Sequence, residues 1–210
     1  MVRLLGAFRR ERNGLVADTM HYDGTRYGLN YGVSLVTVRQ KVRALEPVRD
    51  EEFARFLMTQ QVRCLQLAAL HLADPAAWQT MDDARRWLDA LNNSELAEEL
   101  AFALLSKIYD INSLMGIWTT ESNELISYAA LMAAARNART TSEVSFIAAE
   151  KAVRANPTSR NIANGVVALV CHIAETDKSV KVGIPTLLES MPDCPTRTLI
   201  TEELEWRLEC

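Results

Sequence analysis

DEEFARFLMTQQVRCLQLAALHL, residues 50–72, decides the fold class of this chain. Its apolar residues recur at the spacing of one face of an α-helix. Asp50 is a favoured N-cap residue, and the two glutamates after it suit the positive end of the helix dipole. The stretch predicts one long helix, Asp50–Leu72.

Most of the chain after this helix shows the same apolar periodicity between turn residues. The predicted helical segments are 74–91, 94–115, Glu121–Ala138, Ser142–Ala155, Ser159–Glu175, Thr186–Met191 and Arg197–Glu209. No repeat of fixed length is visible, so a tetratricopeptide or ankyrin array is not supported. We therefore predict a mainly α fold, a multi-helix bundle-like domain.

The first 49 residues show a different pattern. Leu15–Tyr22 and Thr25–Tyr31 flank Asp23-Gly24, a strong signal for a β-hairpin. Val33–Val38 is dense in β-branched residues and predicts a third strand. The sequence thus predicts a small N-terminal β element within residues 1–49, followed by a helical domain at 50–210.

The charge changes at the same position. Residues 1–49 hold nine Lys/Arg against four Asp/Glu, and residues 50–210 hold fourteen against twenty-three. The net charge of −4 argues against general nucleic-acid binding by the whole chain, because affinity for phosphates depends on clustered Lys and Arg. The basic segment around Arg9, Arg10 and Arg12 leaves a local contact open, either with phosphate or with an acidic protein surface.

Motifs for catalysis are absent from the sequence. The three histidines have no metal-ligand spacing, and the eight glycines form no phosphate-binding loop. The four cysteines lack CxxC spacing, which favours a reducing compartment. No apolar stretch approaches the ~18 residues that span a bilayer. We predict a cytoplasmic protein that is not an enzyme, with no catalytic, cofactor-binding or metal-binding residue and no membrane partner.

Side chains of three kinds are candidates for partner binding. They are the arginines of a basic arm, a strand with an exposed edge, and tryptophans outside the apolar stripes, a residue type enriched in binding hot spots. The residues are Arg9, Arg10, Arg12, Val36, Val38, Arg39, Trp118 and Trp206. The expected partners are other proteins and further copies of the chain.

Several short patterns within residues 27–114 occur in a familiar order. They are Tyr27-Gly28 to Gly32-Val33, Val36-Thr37-Val38-Arg39, Asp50-Glu51, Asp74-Pro75-Ala76-Ala77-Trp78 and Leu88-Asp89-Ala90-Leu91. This arrangement resembles the tail and baseplate assembly chaperones of tailed bacteriophages. The resemblance implies a non-enzymatic module for protein–protein contact in a viral assembly, with no catalytic residues.

Two other functions remain open. The first is a structural subunit of a viral particle, such as a coat, tail or baseplate component, which would form large particles or filaments. The second is a helical nucleic-acid-associated protein that uses the basic arm. Its binding would weaken steeply with salt and would be lost when Arg9, Arg10 and Arg12 become Ala.

Overall fold

A computed structural model describes residues 1–22, 27–44, 50–74, 76, 78 and 81–208, apart from the side chains of 81–82. These residues form thirteen α-helices and two 3-10 helical turns, Leu105–Lys107 and Lys178–Gly183. The helices are α1 (Val2–Arg10), α2 (Gly14–Tyr22), α3 (Leu35–Arg43), α4 (Glu51–Met58), α5 (Arg63–Leu72), α6 (Met81–Leu88), α7 (Ser94–Ala103), α8 (Ile111–Trp118), α9 (Glu124–Ala134), α10 (Ser142–Ala155), α11 (Arg160–Thr176), α12 (Ile184–Ser190) and α13 (Pro195–Leu208).

The chain divides into two compact units, and the first is Met1–Leu104. Helix α5 is the centre of this unit, and every residue of α5 except His71 is buried. Helices α3, α4 and α7 pack on α5, and α1 packs on α3 and α5. This arrangement leaves the outer faces of α1, α3 and α7 in contact with solvent.

The second unit is Leu105–Cys210, and it consists of stacked helices. Helix α11 packs on α9 and α13, while α10 packs on α8 and α12. These helices therefore form two layers, one of α9, α11 and α13 and the other of α8, α10 and α12. A Cβ at Gly165 of α11 would lie 3.1 Å from side-chain atoms of Leu131 and Tyr128 in α9, so a small residue is needed for this close packing.

The predicted helix Asp50–Leu72 is two helices in the structure. Its beginning is confirmed, because Asp50 Oδ1 accepts a hydrogen bond of 2.9 Å from the backbone N–H of Phe53. The helix is interrupted at Gln61, whose φ of 51° lies in the left-handed region. The backbone carbonyl of Gln61 accepts a 2.9 Å bond from Leu29 N–H, so an earlier segment of the chain pairs with the interruption.

Two other predicted helices show how well the apolar periodicity predicts where helices begin and end. The range Ser142–Ala155 is confirmed without change as α10. The predicted segment 94–115 is divided, because α7 ends at Ala103 and α8 begins after Asp110, which caps it through Ser113 N–H. The mainly α fold is therefore confirmed, and the lengths of individual helices are less well predicted.

The predicted N-terminal β element is wrong. Gly14–Tyr22 is α2, and Asn13 Oδ1 accepts from the backbone N–H of Val16 at its first turn. The Asp23-Gly24 turn lies outside the described residues. Within the described ranges no strand forms, and β-pairing is limited to an isolated parallel bridge between Leu29 and Val62.

The predicted strand Val33–Val38 is also wrong, because most of it belongs to α3. Ser34 Oγ accepts from Thr37 N–H and caps the helix. Val38 and Val42, one turn apart, are both buried, and α3 packs on α5. Packing of this stripe outweighs the modest preference of β-branched residues for strands.

The predicted domain boundary between residues 49 and 50 stays a prediction, since residues 45–49 lie outside the described part of the chain. The two compact units are Met1–Leu104 and Leu105–Cys210. Among the described helices, none combines the length and apolar character needed to cross a membrane.

Candidate nucleic-acid interface

The arginines of α1 lie on its solvent face. Leu4 and Phe8, one turn apart, are buried and fix the orientation of the helix. Arg3 and Arg10 are two turns apart on the opposite side, and both are exposed. Most of the arginines predicted to form a basic arm therefore project from α1, a helix that is packed within the first unit.

The end of α1 is tied to the neighbouring segments by its charged residues. Arg9 Nε donates to the hydroxyl of Tyr31 over 3.1 Å. Glu11 pairs with Lys41 of α3 at 2.6 Å. Arg12 follows α1, and Arg43 ends α3; both are exposed. We call these cations the α1–α3 basic surface: Arg3, Arg9, Arg10, Arg12 and Arg43.

The α1–α3 basic surface gathers five arginines on and next to two helices that pack together. Some arginines elsewhere pair locally, as Arg85 does with Asp89, Arg154 with Glu150 and Arg207 with Glu203. Arg55 and Arg160 are single exposed arginines that, like those of the basic surface, form no ion pair with a described carboxylate. Among the described residues, no carboxylate forms an ion pair with the five arginines of the basic surface. This surface therefore keeps its positive charge available for an anion.

Arg39 and His71 converge on one buried carboxylate, Glu99. Arg39 donates from Nε to Glu99 Oε1 over 3.0 Å and from Nη2 to Oε2 over 2.6 Å. His71 Nε2 contacts the same Oε1. Burial alone would raise the pKa of Glu99, but the hydrogen bonds and charges of His71 and Arg39 outweigh it and lower that pKa. The contact with Glu99 gives His71 a hydrogen-bond partner within the first unit.

A second buried network fixes the segment that precedes α3. Arg63 donates to Glu95 from Nε over 2.8 Å and also from Nη2. A third bond runs from Arg63 Nη1 to the backbone carbonyl of Val33, next to the N-cap of α3. The hydroxyl of Tyr27 donates to Glu95 over 2.6 Å, and burial, followed by the charge of Glu95, raises the pKa of Tyr27 well above its usual range. These contacts place α3 and hence Arg39 and Arg43.

The other predicted partner-binding residues are scattered. Val36 lies on the solvent face of α3 and is exposed, whereas Val38 is buried against the core. Trp118 is also buried, so neither Val38 nor Trp118 presents a surface to a partner in this structure. Trp206 is 71% exposed on α13, in the second unit. The α1–α3 basic surface thus includes the predicted Arg9, Arg10 and Arg12, whereas the tryptophans lie elsewhere.

Sequence reasoning missed the contributions of Arg43 and Glu99. Glu99 is buried and in contact with both Arg39 and His71. No local pattern reveals this, because Arg39 and Glu99 are 60 positions apart. A signal for Arg43 does exist, since it lies one helical turn after Arg39.

The second unit carries a groove of about 420 Å³. Its charged lining residues are Glu175, Lys178, Lys181 and Arg207, and Cys171 lies beside them. Burial raises the pKa of the Cys171 thiol, so the groove does not activate it as a nucleophile. Of the cations in this lining, Arg207 is paired with Glu203, and Glu175 adds a negative charge.

The fold is shared with a solved structure. That structure is described as belonging to a new family of proteins related to the HEAT-like repeat DNA glycosylases, with affinity for branched DNA structures. The two chains superpose with a TM-score of 0.72 over 96% of this chain and 92% of the other, at 14% sequence identity. At this identity the likeness shows the fold. Comparison with curated proteins gave no match.

A family model described as DNA alkylation repair enzyme matches residues 9–162, well over half of the 210 residues. This match overturns the resemblance to phage tail and baseplate chaperones and, with it, the predicted viral assembly function. It also overturns the prediction that the protein is not an enzyme. The short patterns in residues 27–114 were too degenerate to identify a family. The chain belongs to the DNA alkylation repair enzyme family.

Proposed function

We propose that this protein is a DNA repair enzyme that acts on alkylated DNA and holds the phosphate backbone on the α1–α3 basic surface. Membership in the DNA alkylation repair enzyme family supports the substrate class. The affinity for branched DNA reported for the protein of similar fold supports DNA as the partner. The basic arm, which the sequence offers for contact with nucleic acid, belongs to this surface.

The observation that carries the proposal is the set of exposed arginines that have no acidic partner among the described residues. Phosphate contacts contribute affinity by releasing counterions, and this requires cations that are not already neutralised. Lys41 is neutralised by Glu11 and is therefore left out of the surface. Arg10, Arg12 and Arg43 are exposed and meet the requirement.

The packed helices favour binding by preordered arginine side chains rather than by a flexible arm. Arg10 lies on a helix anchored by Leu4 and Phe8, and Arg43 lies on a helix anchored by Val38 and Val42. Side chains that start from packed helices lose less conformational entropy on binding than side chains of a disordered arm. We therefore expect the cations to meet a duplex without folding of the N-terminal segment.

The first test is binding of a labelled duplex oligonucleotide, followed by fluorescence anisotropy, with the triple variant Arg10→Ala, Arg12→Ala, Arg43→Ala. The control is Arg55→Ala. Arg55 is an exposed arginine on α4, a helix that packs on α5 but does not belong to the α1–α3 basic surface. The triple variant is expected to bind at least about tenfold more weakly at low salt, because several phosphate contacts are removed. Equal affinity of the triple variant and the wild type would refute the proposed surface.

The second test addresses the enzymatic part of the proposal. Duplex DNA treated with a methylating agent is incubated with the protein, and methylated bases released from the DNA or lost from it are measured by mass spectrometry. Methylated bases should be removed or repaired only when the protein is present. At limiting DNA concentration, the triple variant should carry out this reaction more slowly than the wild type. DNA that keeps every methylated base after long incubation would contradict the enzymatic function.

A further inference from the structure

Helix α2 turns its large apolar side chains toward solvent. Leu15, Thr19 and Tyr22 lie on one face, because positions i, i+4 and i+7 of a helix are neighbours. Leu15 is 77% exposed and Tyr22 is 86% exposed. None of the nine residues of α2, all of which the structure describes, is buried. The usual polarity of a surface helix is therefore reversed, and we call these three residues the outer face of α2.

The opposite face of α2 attaches the helix to the first unit. Ala17 and Met20 are half-buried on that face, and Met20 Sδ accepts a hydrogen bond from Asn30 Nδ2 over 3.4 Å. Just before α2, the backbone N–H of Asn13 donates to the carbonyl of Tyr31 over 2.8 Å. These contacts set the orientation of the helix, so its outer face points away from the rest of the unit.

The outer face of α2 lies beside the α1–α3 basic surface. Tyr31 joins the two, because its hydroxyl accepts from Arg9 and its carbonyl accepts from Asn13. Arg12 precedes Leu15 by three positions, so their Cα atoms are at most about 11 Å apart. Base pairs follow one another at ~3.4 Å along the duplex axis. A phosphate held by Arg12 would therefore bring Leu15 within a few base pairs of it.

The small size of the outer face fits DNA better than a protein partner. A stable protein interface takes about 20–30 residues from each side, whereas proteins that bend DNA insert single apolar side chains between base steps. Asp18, the one carboxylate of α2, lies about 60° from Leu15 around the helix axis. The phosphates would therefore be held by the neighbouring arginines, and α2 itself would contribute apolar contacts.

We propose that Leu15 and Tyr22 form an apolar wedge for DNA at a step where two neighbouring base pairs are no longer firmly stacked, as at a gap in one strand. This inference rests on the proposed function and specifies the form of DNA that the basic surface prefers. In a continuous duplex, the wedge must first separate two stacked base pairs, which costs free energy. At a gap this stacking is already weakened, so burial of the wedge adds to the affinity.

Helix α13 offers a matched control for the wedge. Leu199 and Trp206 are exposed and lie seven positions apart on α13, which is the spacing of the two wedge residues on α2. The control variant Leu199→Ala, Trp206→Ala thus removes the same kinds of side chain from the second unit. The wedge variant, Leu15→Ala with Tyr22→Ala, should melt at the wild-type temperature by circular dichroism, because both side chains are exposed.

The test compares two labelled duplexes of the same length and sequence, one continuous and one with a one-nucleotide gap in the middle of a strand. By fluorescence anisotropy, the wild type is expected to bind the gapped duplex about tenfold more tightly. The wedge variant should bind the two duplexes with affinities that differ by less than about twofold. The control variant should behave as the wild type, and so should Leu15→Met, which keeps an apolar side chain of similar volume.

Separate outcomes distinguish the wedge from the proposed function. If the wedge variant keeps the preference for the gap, or if the wild type shows none, the wedge is refuted and the phosphate contacts stand. The variant Arg10→Ala, Arg12→Ala, Arg43→Ala should bind both duplexes more weakly and keep the preference. If the wild type binds neither duplex, both proposals fail. Equal affinity for the two duplexes, together with binding to anionic phospholipid vesicles that the wedge variant loses, would overturn the wedge in favour of a membrane contact.

Discussion

Arg39 on α3 and Glu99 on α7 form a two-pronged ion pair that joins two helices, both of which pack on α5. The carboxylate is almost completely buried, whereas the arginine side chain is 26% exposed. His71 of α5 contacts the same carboxylate. One residue thus couples three helices of the first unit and at the same time orients a guanidinium at its surface.

Replacing Glu99 by Gln should destabilise the first unit. The change leaves Arg39 and His71 without their charged acceptor, and breaking a buried ion pair costs about 3–5 kcal/mol. We expect about 2 kcal/mol, because Arg39 remains partly hydrated. Urea denaturation followed by circular dichroism measures the loss. Glu202→Gln, at an exposed position on α13, should change stability by less than ~0.5 kcal/mol. If Glu99→Gln unfolds at the same urea concentration as the wild type, the ion pair contributes nothing to stability.

The same pair makes stability depend on pH in the acid range. The folded protein holds the pKa of Glu99 below its ordinary value of 4.5, so the unfolded state binds this proton more readily. The stabilisation from Glu99 is therefore complete above pH 4.5 and is lost as the pH falls through the lower folded value. Denaturation curves recorded below pH 4.5 should converge for the wild type and Glu99→Gln. A difference between the two proteins that stays constant down to the acid limit would contradict the assigned role of the Glu99 carboxylate.

Tyr27→Phe should weaken the network that fixes the segment before α3. It removes the hydroxyl that donates to Glu95, and loss of one hydrogen bond to a charged group costs about 1.5–3 kcal/mol. Arg63→Met should cost more, since it leaves Glu95 without its arginine partner in a part-buried site. Thermal unfolding of both variants measures the order of the effects. A larger loss for Tyr27→Phe than for Arg63→Met would contradict the assigned roles.

Gly32→Ala should destabilise the protein strongly. The φ of Gly32 is +67°, and an added Cβ would lie 1.8 Å from the backbone carbonyl oxygen of Asn13. The N-terminal helices would have to move, at a cost of about 2 kcal/mol or more. Gly6→Ala is the matched control, because Gly6 lies inside α1 and nothing occupies the space around it. That variant should gain about 0.5–1 kcal/mol from higher helix propensity. Equal melting temperatures for the two variants would refute the account.

The apolar periodicity of the sequence predicts the helical class and several helices, because one buried stripe per helix is a local property. Ser142–Ala155 is an example, and so is the cap at Asp50. The interruption at Gln61 could not be predicted, since it depends on pairing with Leu29, more than thirty positions earlier. The strand prediction failed because the Ser34 cap and the burial of Val38 and Val42 favour a helix over the strand preference of β-branched residues.

The candidate site was predictable only in its charge. The excess of arginine in the first 49 residues indicates a basic surface, and Arg9, Arg10 and Arg12 belong to it. The role of Arg39 depends on Glu99, which is distant in sequence and adjacent in space. The short patterns in residues 27–114 likewise did not identify the family, because many helical proteins carry such patterns.

The most direct test of the account is the salt dependence of duplex binding. Affinity for a short unmodified duplex is measured over a range of salt concentrations for the wild type and the variant Arg10→Ala, Arg12→Ala, Arg43→Ala. Each phosphate contact contributes about 0.9 to the slope of log affinity against log salt, so the variant slope should be smaller by about 2 to 3. Identical slopes for the two proteins would show that the phosphates lie elsewhere and would contradict the central claim.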